Sequence, residues 1–496
     1  MTDGIAATTQ PLSFPSRKLR VDLVNFWLVL LLLVASTCVI ADGLGRPLVL
    51  EDGSEGPTQA MEYESFGAAY VFAAFTLPIC LLYGLRAGAS KAESFLLWFL
   101  LGTMTYSKDF AYIRIPGLPL FVTDVALGIS LWILLRTWGS KLFRKDQWWG
   151  RLVLLFIAMG VVSAARGVVG REDILLIFRD FAIVVYSLFV LVGFYVFEDW
   201  SAVRRVFIIS CVASGLLTLN ALAWFVAQPD QRRFVAFGIF LLGTFIAVIV
   251  LTMNGLMKPS LGWPLAAFFS MGLLLTNART IFVALAAALG ITTLLSPTGQ
   301  VRLSARSLRL MASVALVCVL LFLAASQTRS GSEFLDRAGT ELVSGTLDYA
   351  QDPNATFRFF AWMEALRRFS DQPLLGEGFG VPFVFEFADS DPRPHNTYLT
   401  VLYKMGVLGF VPLFLLLFFF YWKGWKAIRH SNGGAGSVFL YIALLSHIVI
   451  SMFGALNLLL ESPFLASVYW LLCGLGIRAI VLLQRESQAP VAGTEP

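Results

Sequence analysis

Long apolar runs recur from one end of this 496-residue chain to the other, and they constrain the fold more than any other feature. A run of about 20 apolar residues can cross the hydrocarbon core of a bilayer as a helix, which satisfies its own backbone hydrogen bonds there. Charged residues make up only 14% of the chain, too few to cover the surface of a soluble protein of this size. The sequence therefore predicts an all-α polytopic membrane protein.

The runs predict about fourteen spanning helices, of which 94–106 and 281–296 are short for a full crossing. One long polar segment, 327–396, interrupts the series. We therefore expect three parts: N-terminal helices within 1–326, an extramembrane loop over 327–396, and C-terminal helices with a short tail over 397–496. The predicted spans are 22–41, 66–84, 94–106, 119–136, 150–168, 174–197, 203–227, 233–253, 261–276, 281–296, 308–326, 397–422, 437–457 and 463–483.

The basic residues between the runs predict the orientation. Cytoplasmic connections of membrane proteins are enriched in lysine and arginine. Every second connection here is basic, as in Arg136 to Lys145 and Lys423 to Arg429, whereas the connection after the first run is acidic. We therefore expect both termini in the cytoplasm and the segment 327–396 on the opposite, outward side.

Several outward connections nevertheless keep arginines, and Arg279 is the most unusual of them. It lies in Thr276-Asn277-Ala278-Arg279-Thr280, a short polar break between two apolar runs. A guanidinium at that depth needs an anionic partner, and a diphosphate matches its fork of donors. The alternative is an interfacial anchor that reaches the lipid headgroups. Other outward basic residues are Lys108, Arg114, Arg166, Arg171, Arg232, Arg233, Arg329, Arg337, Arg358, Arg367, Arg368 and Arg393.

The outward segment also carries a periodic stretch and a glycine run. Residues 358–369 have the spacing of an amphipathic helix that lies at the membrane interface. The run Gly376-Glu-Gly-Phe-Gly380 permits tight turns and close approach to a phosphate, although a plain turn after a helix is the commoner reason for such a run. The apolar face of the predicted helix comprises Phe359, Trp362, Met363, Leu366 and Phe369, and the polar face comprises Glu364, Arg367 and Arg368.

One of three histidines, His395, lies at the end of the outward segment, directly before the run 397–422. The dipole at a helix N-terminus disfavours a protonated imidazole, so the ring should be neutral and able to accept a proton. A loop histidine without a chemical role is the alternative. His430 lies in a basic loop, and His447 lies inside a predicted span, where we expect a hydrogen-bonded core residue.

The segment Pro394-His395-Asn396, followed by Gly406-Val-Leu-Gly409, resembles the signature of the O-antigen ligase and O-antigen polymerase superfamily. In that superfamily a His-Asn pair opens a helix that then carries a Gly-x-x-Gly. The stretch from Arg358 to Gly378 is similar to its periplasmic loop. Arg279 is similar to its arginine at the outer end of a helix pair.

The resemblance implies a bundle akin to the GT-C glycosyltransferases, in a bacterial inner membrane. It implies a donor saccharide on undecaprenyl diphosphate and an acceptor hydroxyl on lipid A core or on a second lipid-linked glycan. His395 would take the acceptor proton, while Arg279 and Arg358 would hold the diphosphate. We expect neither a metal nor another cofactor, because arginines can supply the positive charge that a diphosphate needs. Three further candidates for supporting roles are Asn396, Gly378 and Arg393.

Other functions fit parts of the same pattern. Within the superfamily, the sequence does not separate a ligase from a polymerase or from a protein O-glycosylating enzyme. Outside it, a flippase for lipid-linked sugars or another polysaccharide transporter is the main alternative. Transporters place charges near the bilayer midplane and often contain internal repeats. Here the unusual charges lie at the outer rim and no repeat is evident, so the sequence favours an enzyme.

Overall fold

A computed structural model describes residues 17–45, 58–114, 120–139, 147–227, 238–276, 353–385, 393–431 and 433–488, with Ile281 and Ala284. Helices account for most of these residues, and the described part contains one isolated bridge, Arg114 to Phe121, and no longer strand. The predicted all-α polytopic architecture is confirmed. The predicted span 308–326, all but two residues of 281–296, and Arg279 lie outside the described residues.

Each of the other twelve predicted runs contains a helix. We number the helices in chain order. They are α1 (Arg17–Gly45), α2 (Thr58–Arg86), α3 (Lys91–Tyr106), α4 (Lys108–Ala111), α5 (Val122–Trp138), α6 (Trp148–Val169), α7 (Ile174–Val185), α8 (Phe189–Val196), α9 (Trp200–Ala227), α10 (Gly238–Met253), α11 (Pro259–Thr276), α12 (Pro353–Asp371), α13 (Thr397–His430), α14 (Ala435–Gly454) and α15 (Pro463–Gln488).

Eight segments of the described chain are long and apolar enough to cross a membrane. They lie in α1, α2, α6, α7 with α8, α9, α13, α14 and α15, and α10 and α11 are shorter apolar helices. The protein is therefore a multi-pass membrane protein. The total of about fourteen spans and the likeness to GT-C enzymes stay predictions.

Two of the predicted runs are not straight helices. The run 174–197 is divided by a 3-10 turn, Tyr186–Leu188, between α7 and α8. The run that begins at Thr397 bends at Gly406, whose φ of 63° and ψ of −170° interrupt the α-helical conformation. Glycine has no Cβ and adopts a positive φ at little cost, so it permits this bend.

Side-chain contacts identify the two ends of the bundle. The Trp200 indole N–H donates to Glu486 at 2.6 Å, which places the start of α9 beside the C-terminal end of α15. The Thr397 hydroxyl donates to Glu461 at 2.8 Å, which places the start of α13 beside the N-terminal end of α15. We call the first the Arg205 end, because Arg205 lies in the second turn of α9, and the second the histidine end.

Candidate active site

Helix α12 lies against the segment that carries the candidate histidine. The Trp362 indole N–H donates to the carbonyl oxygen of Pro394 at 2.8 Å. The Phe357 and His395 rings meet edge to face with centroids 6.0 Å apart. The helix predicted for 358–369 lies within α12 and is confirmed. Its contacts hold His395 from one side.

The two faces of α12 follow the predicted pattern only in part. Phe359, Met363 and Leu366 are exposed, as expected of side chains that face a membrane interface. The polar face is different, because Arg367 is exposed while Arg368 is largely buried. Hydrogen bonds from Arg367 and Arg368 outweigh the effect of burial on Glu364 and lower its pKa to about 2.

Arg368 ties α12 to the chain that follows it, rather than facing solvent as the periodicity predicted. Its guanidinium contacts Glu364 at 2.8 Å and Glu377 at 3.2 Å. It also donates to the carbonyl oxygens of Pro382, at 3.0 Å, and Val384, at 2.8 Å. The amphipathic period identifies the face on which a residue lies, but it does not show which loop returns to cover that face.

His395 has a neutral ring at physiological pH, for a reason different from the predicted one. Its pKa is lowered to about 4, mainly because burial disfavours the charged ring and secondly because Arg358 and Arg393 are close. The predicted cause was the dipole of the helix that follows. His395 also has a φ of 49°, a conformation that side chains rarely adopt. A residue held in such a conformation needs firm support from its neighbours.

Asn396 caps the helix that follows the histidine. Its side-chain oxygen accepts hydrogen bonds from the backbone N–H groups of Tyr398 and Leu399, both at 3.1 Å. Asparagine is a preferred N-cap residue, and the cap fixes where α13 begins. The His-Asn pair therefore combines a candidate proton acceptor with the residue that starts its helix.

The structure brings together three of the predicted site residues. His395 lies within electrostatic reach of both Arg358 and Arg393. Arg393 also approaches the backbone oxygen of Glu461, with the two atoms 3.4 Å apart. Arg279 lies outside the described residues, so its place in the site stays a prediction.

The glycine run has no free backbone donors for a phosphate. Each N–H group from Gly376 to Gly380 donates within the protein. Gly378 uses its N–H group in packing against Lys404, and its supporting role in the site stays a prediction. The acceptors, in order, are Gln372 O at 2.9 Å, Tyr403 O at 2.8 Å, Lys404 O at 3.0 Å, Ser163 O at 3.1 Å and Asp180 Oδ2 at 3.0 Å.

The glycine run fits into the bend of α13. The backbone N–H groups of Val407 and Leu408, freed by the bend, donate to Pro373 O at 2.9 Å and Leu374 O at 3.2 Å. A Cβ on Gly406 would lie 2.3 Å from the Leu374 oxygen, and a Cβ on Gly376 would lie 2.4 Å from the Lys404 carbonyl carbon. Both glycines are therefore required for two backbone segments to interlock.

A buried lysine fixes the same loop from inside the bundle. The Lys404 side chain is 3% exposed, and its ammonium lies 3.2 Å from Asp180 and 3.1 Å from Glu377. It also donates to the carbonyl oxygen of Val381. Burial raises the pKa of Glu377, while Lys404 and Arg368 act in the opposite direction. The sequence did not predict this cluster. Asp180 and Lys404 each place a charge inside an apolar run, and such a charge indicates a buried partner.

Arg166, one of the arginines predicted to face outward, serves the fold. Its guanidinium, at the end of α6, donates to the carbonyl oxygens of Leu375 at 2.9 Å and Gly376 at 2.6 Å. It also donates to the Gln372 side chain at 2.6 Å. Arg166 thus holds the loop, whereas Arg358 and Arg393 lie beside the histidine.

These features define a multi-pass helical membrane protein with a neutral, arginine-flanked histidine at one end of the bundle. Residues 264–414 match the family described as O-antigen ligase, and this range includes α12, the histidine segment and the bend of α13. The resemblance that the His395-Asn396 motif predicted is confirmed over this part of the chain. With the apolar helices, it indicates a multi-pass protein of the bacterial inner membrane.

Relatives with related names align with parts of this chain. An O-antigen ligase from Pseudomonas aeruginosa is 36% identical over 78 residues, which is 15% of this chain and 20% of the relative. Proteins provisionally named polysaccharide ligases from Rickettsia prowazekii and Rickettsia typhi are 29% and 26% identical over 147 residues. These alignments cover 27% of this chain and 33% of each relative. The chain thus spans a third or less of the length of these relatives.

Proposed function

We propose that this protein is a membrane glycosyltransferase that moves a glycan from undecaprenyl diphosphate to an acceptor hydroxyl. The observation that carries the proposal is the neutral His395, flanked by Arg358 and Arg393, inside the segment that matches the O-antigen ligase family. A neutral imidazole can accept a proton, and arginines bind phosphate oxygens through paired donors. The names of the relatives favour ligation over polymerisation.

In the proposed reaction an acceptor hydroxyl attacks the anomeric carbon of the donor sugar. The new glycosidic bond forms as the bond between that carbon and the diphosphate oxygen breaks. His395 takes the proton of the hydroxyl, and the undecaprenyl diphosphate leaves with the bonding electron pair. Arg358, together with Arg279, stabilises the negative charge that develops on the leaving group. The arginines supply the positive charge that offsets this negative charge, so no step is assigned to a metal or another cofactor.

The proposal includes an orientation and a division of labour along the chain. Both termini lie in the cytoplasm, and the histidine end faces the periplasm, where the donor glycan and a lipid A core acceptor meet. Residues 1–326 and 397–496 supply the helices, and residues 327–396 supply the loop over the site. Reporter fusions at Gly331 and Gly434 should report opposite sides of the membrane. The same side for both would overturn this orientation.

The function is tested with purified protein in liposomes that contain an undecaprenyl-diphosphate-linked O-antigen and a lipid A core acceptor. His395→Ala should lower the rate of transfer by about 10²- to 10⁴-fold, the usual contribution of a positioned general base. Arg358→Lys should also lower the rate, because an ammonium cannot reproduce a paired contact with phosphate.

Arg136→Lys and Arg429→Lys are the matched controls, because both residues lie on the predicted cytoplasmic side. They should keep the rate of the unmodified protein. Wild-type rates in His395→Ala would remove the proposed base. Movement of the lipid-linked sugar across the liposome membrane without a new glycosidic bond would instead identify a transporter.

A further inference from the structure

The turn between α14 and α15 holds a buried carboxylate with an unused oxygen. Glu461 is 5% exposed, and its Oε2 accepts a hydrogen bond from the Thr397 hydroxyl at 2.8 Å. Its Oε1 is buried and has no hydrogen-bond partner in the described part of the chain. Among the described residues, this oxygen therefore lacks a donor.

An unused donor lies in the same turn. The side-chain nitrogen of Asn457 is buried and has no hydrogen-bond acceptor among the described residues. The backbone oxygen of Asn457 lies 3.4 Å from the Thr397 hydroxyl oxygen. The backbone of Asn457 and the carboxylate of Glu461 therefore both lie beside the Thr397 side chain. Thr397 is itself fully used, because its hydroxyl oxygen also accepts from the backbone N–H of Leu459 at 2.7 Å.

This pair of unused groups lies beside the candidate active site. Thr397 follows His395 by two residues, at the start of α13. Arg393, which lowers the pKa of His395, lies 3.4 Å from the backbone oxygen of Glu461. The turn and the histidine are therefore neighbours at the histidine end of the bundle.

Buried polar groups in proteins are almost always paired, and a buried carboxylate oxygen without a donor is costly. Each unpaired group in a native structure therefore needs an explanation, and a ligand is one. A sugar has adjacent hydroxyl groups, and each hydroxyl can both donate and accept. One hydroxyl can donate to a carboxylate oxygen while its neighbour accepts from an amide nitrogen.

We propose that Glu461 and Asn457 form a binding subsite for two neighbouring hydroxyl groups of the acceptor sugar. Binding there places another hydroxyl of the same sugar toward His395. The assignment of the ligand as the acceptor rests on the proposed function. Sugar binding can be measured without donor and without transfer, so the two proposals are tested separately.

The test uses the full-length protein in lipid nanodiscs and saturation-transfer NMR with methyl glucoside, methyl galactoside and methyl mannoside. At least one of these sugars should receive saturation from the unmodified protein. Glu461→Gln should weaken that binding about tenfold or more, because it replaces a charged acceptor with an amide. Gln keeps the size of the side chain and an oxygen for the Thr397 hydroxyl.

Asn457→Asp tests the other half of the subsite, because it removes the donor with little change in shape, and it should weaken binding similarly. Glu198→Gln is the matched control, because Glu198 is exposed and lies near the Arg205 end, where its backbone oxygen accepts from Arg478. It should bind as the unmodified protein does. Unchanged melting temperatures would show that the variants are folded.

Two results would overturn the subsite: no saturation of any of the three sugars by the unmodified protein, or equal saturation by Glu461→Gln. In the transfer assay, Glu461→Gln should raise the KM for the acceptor about tenfold or more and leave the KM for the donor unchanged. Binding that depends on Glu461 in a protein that transfers no glycan would keep the subsite and overturn the proposed function.

Discussion

Charged side chains are buried at both ends of the bundle, but their partners differ. At the Arg205 end, Arg205 and Glu93 form two parallel contacts, of 2.6 Å and 2.9 Å, and Arg205 is 7% exposed. The Nη1 group of Arg205 donates to Ala87 O and Ser201 Oγ, both at 3.1 Å. Neither Arg205 nor Glu93 retains a buried polar atom without a partner.

At the histidine end, one lysine is shared between carboxylates on two different segments. Lys404 contacts Asp180 of α7 and Glu377 of the loop, and Glu377 in turn contacts Arg368 of α12. Glu461, at the same end, keeps an oxygen unused. The buried charges at the Arg205 end thus form an ordinary structural ion pair. At the histidine end the buried charges fix a loop, and Glu461 has an oxygen that a ligand could use.

The largest effect should come from removing the shared cation. Lys404→Met removes the ammonium that contacts both Asp180 and Glu377. Breaking a buried ion pair costs about 3–5 kcal/mol in the free energy of unfolding, and a doubly used cation belongs at the upper end. Unfolding in detergent measures the loss. Lys426→Met, at an exposed lysine of α13, should change it by less than about 0.5 kcal/mol.

A loss below about 1 kcal/mol in Lys404→Met would show that the lysine cluster contributes little to stability. The loop would then be held by its backbone hydrogen bonds and by Arg166 and Arg368. The comparison between the two ends would rest on Glu461 only.

A somewhat smaller effect is expected at the Arg205 end. Arg205→Met or Glu93→Leu alone should cost about 3 kcal/mol or more, because each leaves one buried charge unpaired. The double variant should be more stable than either single variant, as a double-mutant cycle measures. Transfer per folded molecule should not change in any of the three. Additive losses, or a fall in the rate of transfer, would contradict the structural role of this pair.

A single methyl group added to the glycine run at the bend of α13 should lower the stability of the protein. Gly376 has a φ of 65°, and a Cβ there would overlap the Lys404 backbone. Gly376→Ala should therefore cost about 1–3 kcal/mol from overlap in addition to the strain of the positive φ, and should lower transfer. Gly255→Ala is the control, because Gly255 has a φ of 71° and nothing within 4 Å of the new Cβ.

The difference in unfolding free energy between Gly376→Ala and Gly255→Ala isolates the contribution of the close packing. Equal values would mean that the loop and α13 separate easily. The glycine run would then be a plain turn.

The smallest expected effect is that of mild acid on the rate. Because the pKa of His395 is lowered to about 4, the ring stays neutral from pH 7.5 to pH 5.5. The rate should change by less than about twofold over this range and should fall only as the pH drops through about 4. A base with the ordinary histidine pKa of about 6.5 would lose about tenfold by pH 5.5. Initial rates across this range decide between the two, and a tenfold loss would mean that His395 is not buried in the working enzyme.

The sequence predicted those parts of the molecule that depend on local pattern. Apolar length predicted the runs that contain the described helices, and the 3.6-residue period predicted α12. The His-Asn motif identified the start of α13, and the position of His395 at a helix start predicted a neutral ring. The sequence did not predict that Arg368 is buried, that Gly378 uses its N–H internally, or that Lys404 joins α7 to the loop. These depend on which distant segments meet, and a periodic pattern contains no information about partners.

Charge inside an apolar run was the one local signal of such partners. Asp180 and Lys404 both interrupt predicted spans, and an isolated charge in a membrane needs a counter-charge. The sequence alone could not pair them, since nearly every span carries a polar residue. Glu461 gave no signal, because a glutamate at the end of a short turn is usually exposed.

The interlock at Gly406 has a consequence for the order in which the protein is made. The glycine run is synthesised before α13, yet two of its hydrogen bonds are to residues 403 and 404, and its neighbours Pro373 and Leu374 accept from 407 and 408. Glu461 arrives later still, with α15. The histidine is thus synthesised before α13, Glu461 and α15, and a chain that stops at the end of α14 lacks Glu461. Under the proposed function, a partly made protein would therefore lack part of the site that uses lipid-linked glycan.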